Sequence, residues 1–322
     1  MRSLLAATVV ALLVAPPVAG AQTPPSGGAS PDDPRLSPDP SGGTRVGDAI
    51  PVSEPPLRRP ARRRGSRRSG SGRPVLSAFD VRPGVFFIYG RPARVQFRID
   101  DRSQTVRVRL ELLSASGKTV RAYSLGDRPT GVVQSFSING REGGSLPQGS
   151  YELRISARDP GGKRLSRTAK KSGIGRLAFY WHRFPILGAF TYGGPDARFG
   201  APREGHSHQG QDLAAAEGTP VVAPRGGTVE TVAYQAEGAG HYVVLGGNGE
   251  DRDYVFMHLK TGTIAVKQGE RVRTGDLLGH VGNTGESFGA HLHFEVWEGG
   301  GWFSGGHPVD PLPYLQRWDA WS

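Results

Sequence analysis

No cysteine occurs among the 322 residues. That absence excludes disulfide-stapled scaffolds, thiolate-ligated zinc, iron–sulfur clusters and thiol nucleophiles. Long apolar runs are equally scarce. After the first segment, nothing approaches the roughly 20 apolar residues that a membrane-spanning helix needs. Gly 48 and Pro 26 are abundant, yet they follow no Gly-X-Y period, so a collagen-like chain is excluded as well. Apolar residues make up 36%, which fits a chain that is partly unfolded and partly well packed. At roughly 150 residues per domain, the length suggests two domains. The formal net charge is +11, from 40 Lys+Arg against 29 Asp+Glu, and its meaning depends on where it lies.

The chain opens with a basic residue, Arg2, then an apolar run over 4–14, two prolines and the small residues Val18, Ala19, Gly20 and Ala21. This is the pattern of a secretory signal peptide over 1–21, cleaved near Ala21. It implies a secreted or cell-envelope protein with no transmembrane segment in its mature form. Residues 22–75 are rich in Pro, Gly, Ser and Arg and have almost no apolar periodicity, which reads as a disordered linker. Eight arginines fall over 58–73, Arg58 first and Arg73 last. They are either a solvated linker or an electrostatic tether to anionic cell-envelope polymers.

From about residue 76 the texture changes to alternation. Val106, Val108, Leu110 and Leu112 alternate with Arg107, Arg109 and Glu111, as in a half-buried strand. Further strands read over 93–99, 119–125, 132–138 and 151–157, with a Ser-Gly-Lys turn at Ser116, Gly117 and Lys118. Short strands, Gly/Pro turns and no helical segment predict a small antiparallel sandwich over 76–160. The stretch around Gly149-Ser150-Tyr151 through Asp159-Pro160-Gly161-Gly162 resembles bacterial immunoglobulin-like modules such as the one in flagellar hook-capping proteins. Residues 161–183 read as a hinge, 184–315 as a second domain and 316–322 as a tail. The fold class is therefore mainly β.

Eight of the nine histidines fall between His206 and His307. Three arrangements stand out: His208 with Asp212 four residues on, His258 at the end of the alternating run 254–259, and His291-Leu292-His293. On a strand, His291 and His293 project from one face. Imidazole nitrogen and carboxylate oxygen are the natural zinc ligands in a chain without thiolates, and two His with one Asp leave a fourth position open. Taken singly, each arrangement is more often a feature of packing than a ligand set.

The surrounding sequence extends the reading. Residues 205–224 read G-H-S-H-Q-G-Q-D-L-A-A-A-E-G-T-P-V-V-A-P and residues 282–296 read G-N-T-G-E-S-F-G-A-H-L-H-F-E-V. With the markers at 226–229, 268–272, 275–279 and 308–311, these blocks resemble the lysostaphin/LytM-type zinc metallopeptidases, which cleave the peptide part of peptidoglycan. The resemblance implies a C-terminal antiparallel sheet domain with an open groove over 184–315, binding one Zn²⁺ per chain. It implies His208, Asp212 and His293 as metal ligands, His291 as general base or proton shuttle, and His258 as stabiliser of the tetrahedral oxyanion. Glu295 would orient a ligand from behind. His206, Gln211 and the pair Phe256-Met257 depart from the family's usual residues and bear on substrate preference. His206 and His241 are candidates for the groove wall.

The implied function is hydrolysis of peptide bonds in peptidoglycan cross-links or stem peptides. The alternative is a non-enzymatic peptidoglycan-binding or hydrolase-activating regulator of the same fold, for which an intact open site would be unnecessary. A nucleic-acid partner is not expected, because the arginine cluster lacks interleaved aromatics that stack on bases. Residues 1–175 hold 29 basic and 13 acidic side chains, whereas 176–322 hold 11 and 16. The basicity thus belongs to the N-terminal half, and the histidine-bearing half is mildly acidic.

Overall fold

The computed structural model describes residues 72–166 and 173–322, together with the backbone of Ser37–Pro38. The signal peptide expected over 1–21, nearly all of the linker expected over 22–75 and the arginines before Arg73 lie outside the described residues. Among the described residues no helix is long and apolar enough to cross a membrane.

The alternating stretches form a β-sandwich of two sheets. One sheet has three strands, in the order Val75–Arg82, Ala93–Asp100 and Val133–Ile138. The other has five, in the order Val85–Phe87, Ile174–Tyr180, Gly149–Arg158, Thr105–Ser114 and Thr119–Pro129. Period-two patterning decides which faces meet. Val95, Phe97 and Ile99 from the first sheet pack on Val108, Leu110, Leu153 and Ile155 from the second, all nearly inaccessible to solvent.

The hinge expected over 161–183 is largely replaced by structure. Ile174–Tyr180 is a strand inserted between Val85–Phe87 and Gly149–Arg158, burying Leu177 and Phe179. The sandwich therefore extends to Tyr180, past the expected end at 160. The connection that follows is anchored within three residues. Trp181 donates from Nε1 to Leu146 O at 3.1 Å, and Arg183 N donates to Pro224 O at 2.9 Å in the next domain. Between them His182 stacks on Trp318 at 4.9 Å.

The C-terminal domain is built on a sheet ordered Gly227–Gln235, Gly240–Gly247, Arg252–Leu259, His291–Glu298, Gln211–Ala215 and Phe190–Thr191. Ser37–Pro38 pairs at its outer edge, against Tyr234 and Ala233. One face carries the core: Leu213, Tyr254, Phe256, Leu292, Phe294 and Val296 pack against Phe184, Val221, Leu278 and Val281. The residues expected as a tail close this core instead. Leu312–Asp319 is a helix whose Leu315 and Trp318 are buried, and Trp318 lies edge-on to Tyr254 and Phe294.

The two domains meet through rings and backbone. Tyr180 stacks on Trp321 with centroids 4.4 Å apart, and Trp321 Nε1 donates to His182 O at 2.9 Å. Tyr89 holds a left-handed backbone (φ 56) and sits between the guanidinium groups of Arg141 and Arg225, 5.0 and 5.2 Å from its ring centre. Thr274 Oγ1 accepts from Gly226 N at 2.8 Å and donates to Ile88 O of the sandwich.

Trp318→Ala should lower unfolding free energy by about 3–5 kcal/mol, the usual cost of deleting a buried large aromatic; denaturant titration measures this, and a change below about 1 kcal/mol would refute the helix as part of the core. A second expectation concerns the carboxyl pair Glu230 and Asp253. Burial and the Asp253 carboxylate push the Glu230 carboxyl up from 4.5 to about 7. The folded chain holds this proton more tightly than the unfolded chain, so the contribution is full below about 4.5 and is lost as pH rises through about 7. Glu230→Gln should therefore raise the melting temperature relative to wild type at about pH 8 and leave it nearly unchanged at about pH 4.

Candidate metal centre

The site stands on the face of the sheet opposite the core, and strand register puts it there. Asp212 lies directly across from His293, and Ala214 across from His291. Their neighbours Gln211 and Leu213 face Phe294 and Leu292 on the core side. Along His291–Glu298 the alternate residues His291, His293, Glu295 and Trp297 share the site face.

His258 breaks this rule. Strict alternation would send it to the core with Tyr254 and Phe256, on the opposite side from Met257. Its backbone is left-handed instead (φ 61), so Met257 and His258 both face the groove and Leu259 returns to the core. A non-glycine residue there carries backbone strain, and local bonds hold it. His258 N donates to Ala239 O at 2.8 Å, and Thr284 Oγ1 donates to Leu259 O at 2.8 Å.

His208 arrives from the loop before Gln211–Ala215. Gly210 allows this approach: a Cβ on it would stand 2.6 Å from Phe294 O and 2.8 Å from His293 Nε2. As a result His208 Nε2, Asp212 Oδ1 and His293 Nδ1 form a triangle with edges of 2.9, 3.0 and 3.1 Å.

The outward nitrogens decide what that triangle is. His208 Nδ1 lies 2.8 Å from Arg198 O, a carbonyl that can only accept, so the ring proton sits on Nδ1. His293 Nε2 lies 2.9 Å from Glu295 Oε1, whose other oxygen accepts from Trp297 Nε1 at 2.7 Å. In a metal-bound form both rings would be neutral, each inward nitrogen offering a lone pair beside the Asp212 acceptor oxygen. Three converging acceptors need a cation among them. Their spacing is close to the ~3.3 Å between ligands of a tetrahedral ion with bonds of ~2.0–2.1 Å, so the donor set fits Zn²⁺. His208, Asp212 and His293 are also the group of potential metal-holding side chains found among the described residues.

Without an ion, the same acceptors draw a second proton onto His293, which a bound metal would displace. Burial alone would lower the His293 imidazole, but Asp212 and Glu295 outweigh it and pull it up to about 9. The Asp212 carboxyl resists burial and is held well below the usual carboxylate range by His208 and His293. Arg203 Nη2 donates to Asp212 Oδ2 at 3.3 Å and to Asp196 O at 2.7 Å, which leaves Oδ1 turned inward.

Two further histidines flank the triangle. His258 and His291 have ring centres 4.7 Å apart, and His291 Nε2 is 3.6 Å from Asp212 Oδ1. Burial, reinforced by His293 and His291, pushes His258 down to about 3, and burial lowers His291 as well. His258 Nδ1 donates to Thr284 O and His291 Nδ1 to Gly289 O, both at 2.8 Å, leaving each Nε2 bare. All five lie along a groove of about 850 Å³.

The residues that depart from the family's usual pattern separate by face. His206 and Met257 line the groove, whereas Gln211 and Phe256 are fully buried and face the core. His241 is buried beside Tyr234 and is not part of the groove lining. Sequence reasoning missed Arg203, Thr284 and Phe288. Arg203 lies outside any motif, and Thr284 meets the His258 ring through its backbone carbonyl while its hydroxyl braces the turn. Phe288 is fully exposed on the groove lip, where no periodicity could mark it.

Residues 206–311 match the profile of peptidase family M23. The C-terminal domain belongs to this family. Residues 89–161 match the FlgD Ig-like domain. Among curated proteins, the M23 domain is 46% identical over 105 residues to an uncharacterized metalloprotease of Haemophilus influenzae, covering 33% of this chain and 20% of that one. It is 34% identical over 112 residues to a glycyl-glycine endopeptidase of Staphylococcus capitis, covering 35% and 30%. It is 37% identical over 89 residues to a peptidoglycan DD-endopeptidase of Vibrio cholerae, covering 28% and 20%. The alignments thus span less than a third of these relatives' length.

Gly210→Ala should lower zinc affinity by about 10–100-fold, the range for disturbing a ligand's support, while circular dichroism stays native. Competition with a chromophoric chelator measures this; unchanged affinity would mean that Gly210 does not set the approach of His208.

Proposed function

We propose that this chain is an exported zinc metalloendopeptidase that hydrolyses peptide bonds in peptidoglycan cross-links or stem peptides. The observation carrying the proposal is the triangle of His208 Nε2, Asp212 Oδ1 and His293 Nδ1, with its outward nitrogens pinned and two bare imidazole nitrogens beside it. The relatives named as peptidoglycan and glycyl-glycine endopeptidases support the substrate class, and the 1–21 segment supports export. When bound, Zn²⁺ supplies Lewis acidity to a carbonyl oxygen and to water.

The chain's own residues do the rest. Glu295 and Arg198 O hold the tautomers of His293 and His208, and Arg203 holds Asp212 so that one oxygen faces inward. The groove admits an extended peptide past Met257 and His206. His291 Nε2, a bare base on the groove side, accepts a proton from water as it adds to the scissile carbonyl. The same ring then returns that proton to the leaving amine.

The role expected for His258, donation to the oxyanion, needs a proton on Nε2. Its Nδ1–H is committed to Thr284 O, so the neutral ring offers only an acceptor there. His258 donates once it has taken up a proton, and developing negative charge on the carbonyl oxygen favours that uptake.

Purified mature protein should cut cross-linked muropeptides and lose activity on chelation. His291→Ala should lower the rate by about 10²–10⁴-fold while retaining zinc. Mass spectrometry of the products would identify the bond. Hydrolysis unaffected by chelator and by His291→Ala would overturn the proposal, and zinc binding without cleavage of any wall chemistry would make the domain a regulator.

A further inference from the structure

Far from the groove, the outer face of the five-stranded sheet carries a charge pattern that packing does not explain. Arg107 and Arg158 are directly opposite in register, and Arg158 is in turn bridged to Arg164 across the next turn. Like charges facing each other across strands destabilise a sheet. Here three guanidinium groups stand in one row, and Arg109 extends it two residues along the same strand. Asp127 holds Arg107 at 3.0 Å and Glu111 holds Arg109 at 3.2 Å. Among the described residues Arg158 and Arg164 have no carboxylate partner; Arg158 Nη1 donates only to Gly162 O, at 3.3 Å.

The row lines a concavity of about 690 Å³ that contains no acidic side chain and no aromatic ring. A repulsive row kept in a hollow is a departure from local stability of the kind found at functional sites.

The chain adds a second observation. Ser166 N donates to Pro74 O at 2.8 Å and Val75 bridges Ser166, two residues beyond Arg164. Gly72 lies against the Lys163 ammonium, with 3.2 Å from its Cβ position to Nζ. The arginine-rich stretch 58–73 therefore joins the folded chain beside this row, and positive charge continues from one into the other.

We infer that the Arg107–Arg158–Arg164 face of the sandwich binds a flexible phosphodiester-linked polyol chain. Planar guanidinium forks match phosphate oxygens in paired hydrogen bonds, and the successive phosphates of a polymer relieve the repulsion within the row. The absence of rings for base stacking disfavours single-stranded nucleic acid. This site is independent of the peptidase reading, because it concerns another domain and its readout is binding.

The test uses the full mature chain and a synthetic poly(glycerol phosphate), by isothermal titration. Arg158→Gln with Arg164→Gln should weaken binding at least about tenfold at ~0.05 M salt and flatten its salt dependence. It should leave muropeptide cleavage unchanged. Arg82→Gln with Arg94→Gln provides the charge-matched control, since that pair is also opposite in register but lies on the other sheet, outside the hollow. The control should weaken binding less than about twofold. Equal losses in the two variants would reduce the effect to net charge and overturn the site. So would unchanged affinity in the Arg158/Arg164 variant, or duplex DNA binding as tightly through the same two arginines.

Discussion

Three acceptor atoms within about 3 Å of one another are an unfavourable arrangement in a protein interior, and the C-terminal domain is organised to maintain it. Arg198 O and Glu295 each hold one ring proton on the outward side, so the conflict is relieved only by a further proton on His293 or by a metal ion. Trp297 satisfies the far oxygen of Glu295, so a nearly inaccessible carboxylate remains paired. Gly210 lacks the Cβ that would collide with Phe294 O and the His293 ring, so the loop carrying His208 can lie against that strand, and Arg203 turns Asp212. Each contact is ordinary alone. Together they keep a cation-shaped region of negative potential, and this pre-organisation allows a metal to bind without first rearranging its ligands.

The strand His291–Glu298 is where packing and chemistry are coupled. Its even face, Leu292, Phe294 and Val296, is bound into the core, while its odd face presents His291, His293 and Glu295. A register slip of one residue would exchange the two sets, so the aromatic core and Trp318 fix the ligand geometry as firmly as the hydrogen bonds do. His258 is the exception that completes the site. By holding a left-handed backbone, it leaves the core face and joins two histidines it would otherwise be separated from by a sheet.

Much of this was legible beforehand. The His-x-His pair could be placed on one face because strand geometry has a period of two, and the blocks around His208 and His291 pointed to the family before any contact was seen. The sandwich strands with strong alternation, such as Thr105–Ser114, were equally readable. Ile174–Tyr180 was not, since only Leu177 and Phe179 mark its buried face and a basic polar stretch precedes it. The C-terminal helix was hidden because it is only eight residues long with Pro313 in its first turn, too short for Leu312, Leu315 and Trp318 to stand out as a period. Groove contacts made by backbone carbonyls, as at Thr284 and Gly289, leave no trace in residue type. The turn at His258 was invisible for the opposite reason: the residue pattern is that of a regular strand, and only the fold shows where alternation fails.

The connection between the domains has a mechanical consequence. Trp181 is bound to the sandwich, Arg183 to the C-terminal domain, and His182 between them is stacked on a core tryptophan. Among the described residues, Tyr180 on Trp321 and Tyr89 between two arginines add further anchors on either side of this connection. Swinging the sandwich over the groove as a lid would require breaking these contacts together. While they hold, a polymer bound on the sandwich would meet the groove from one direction.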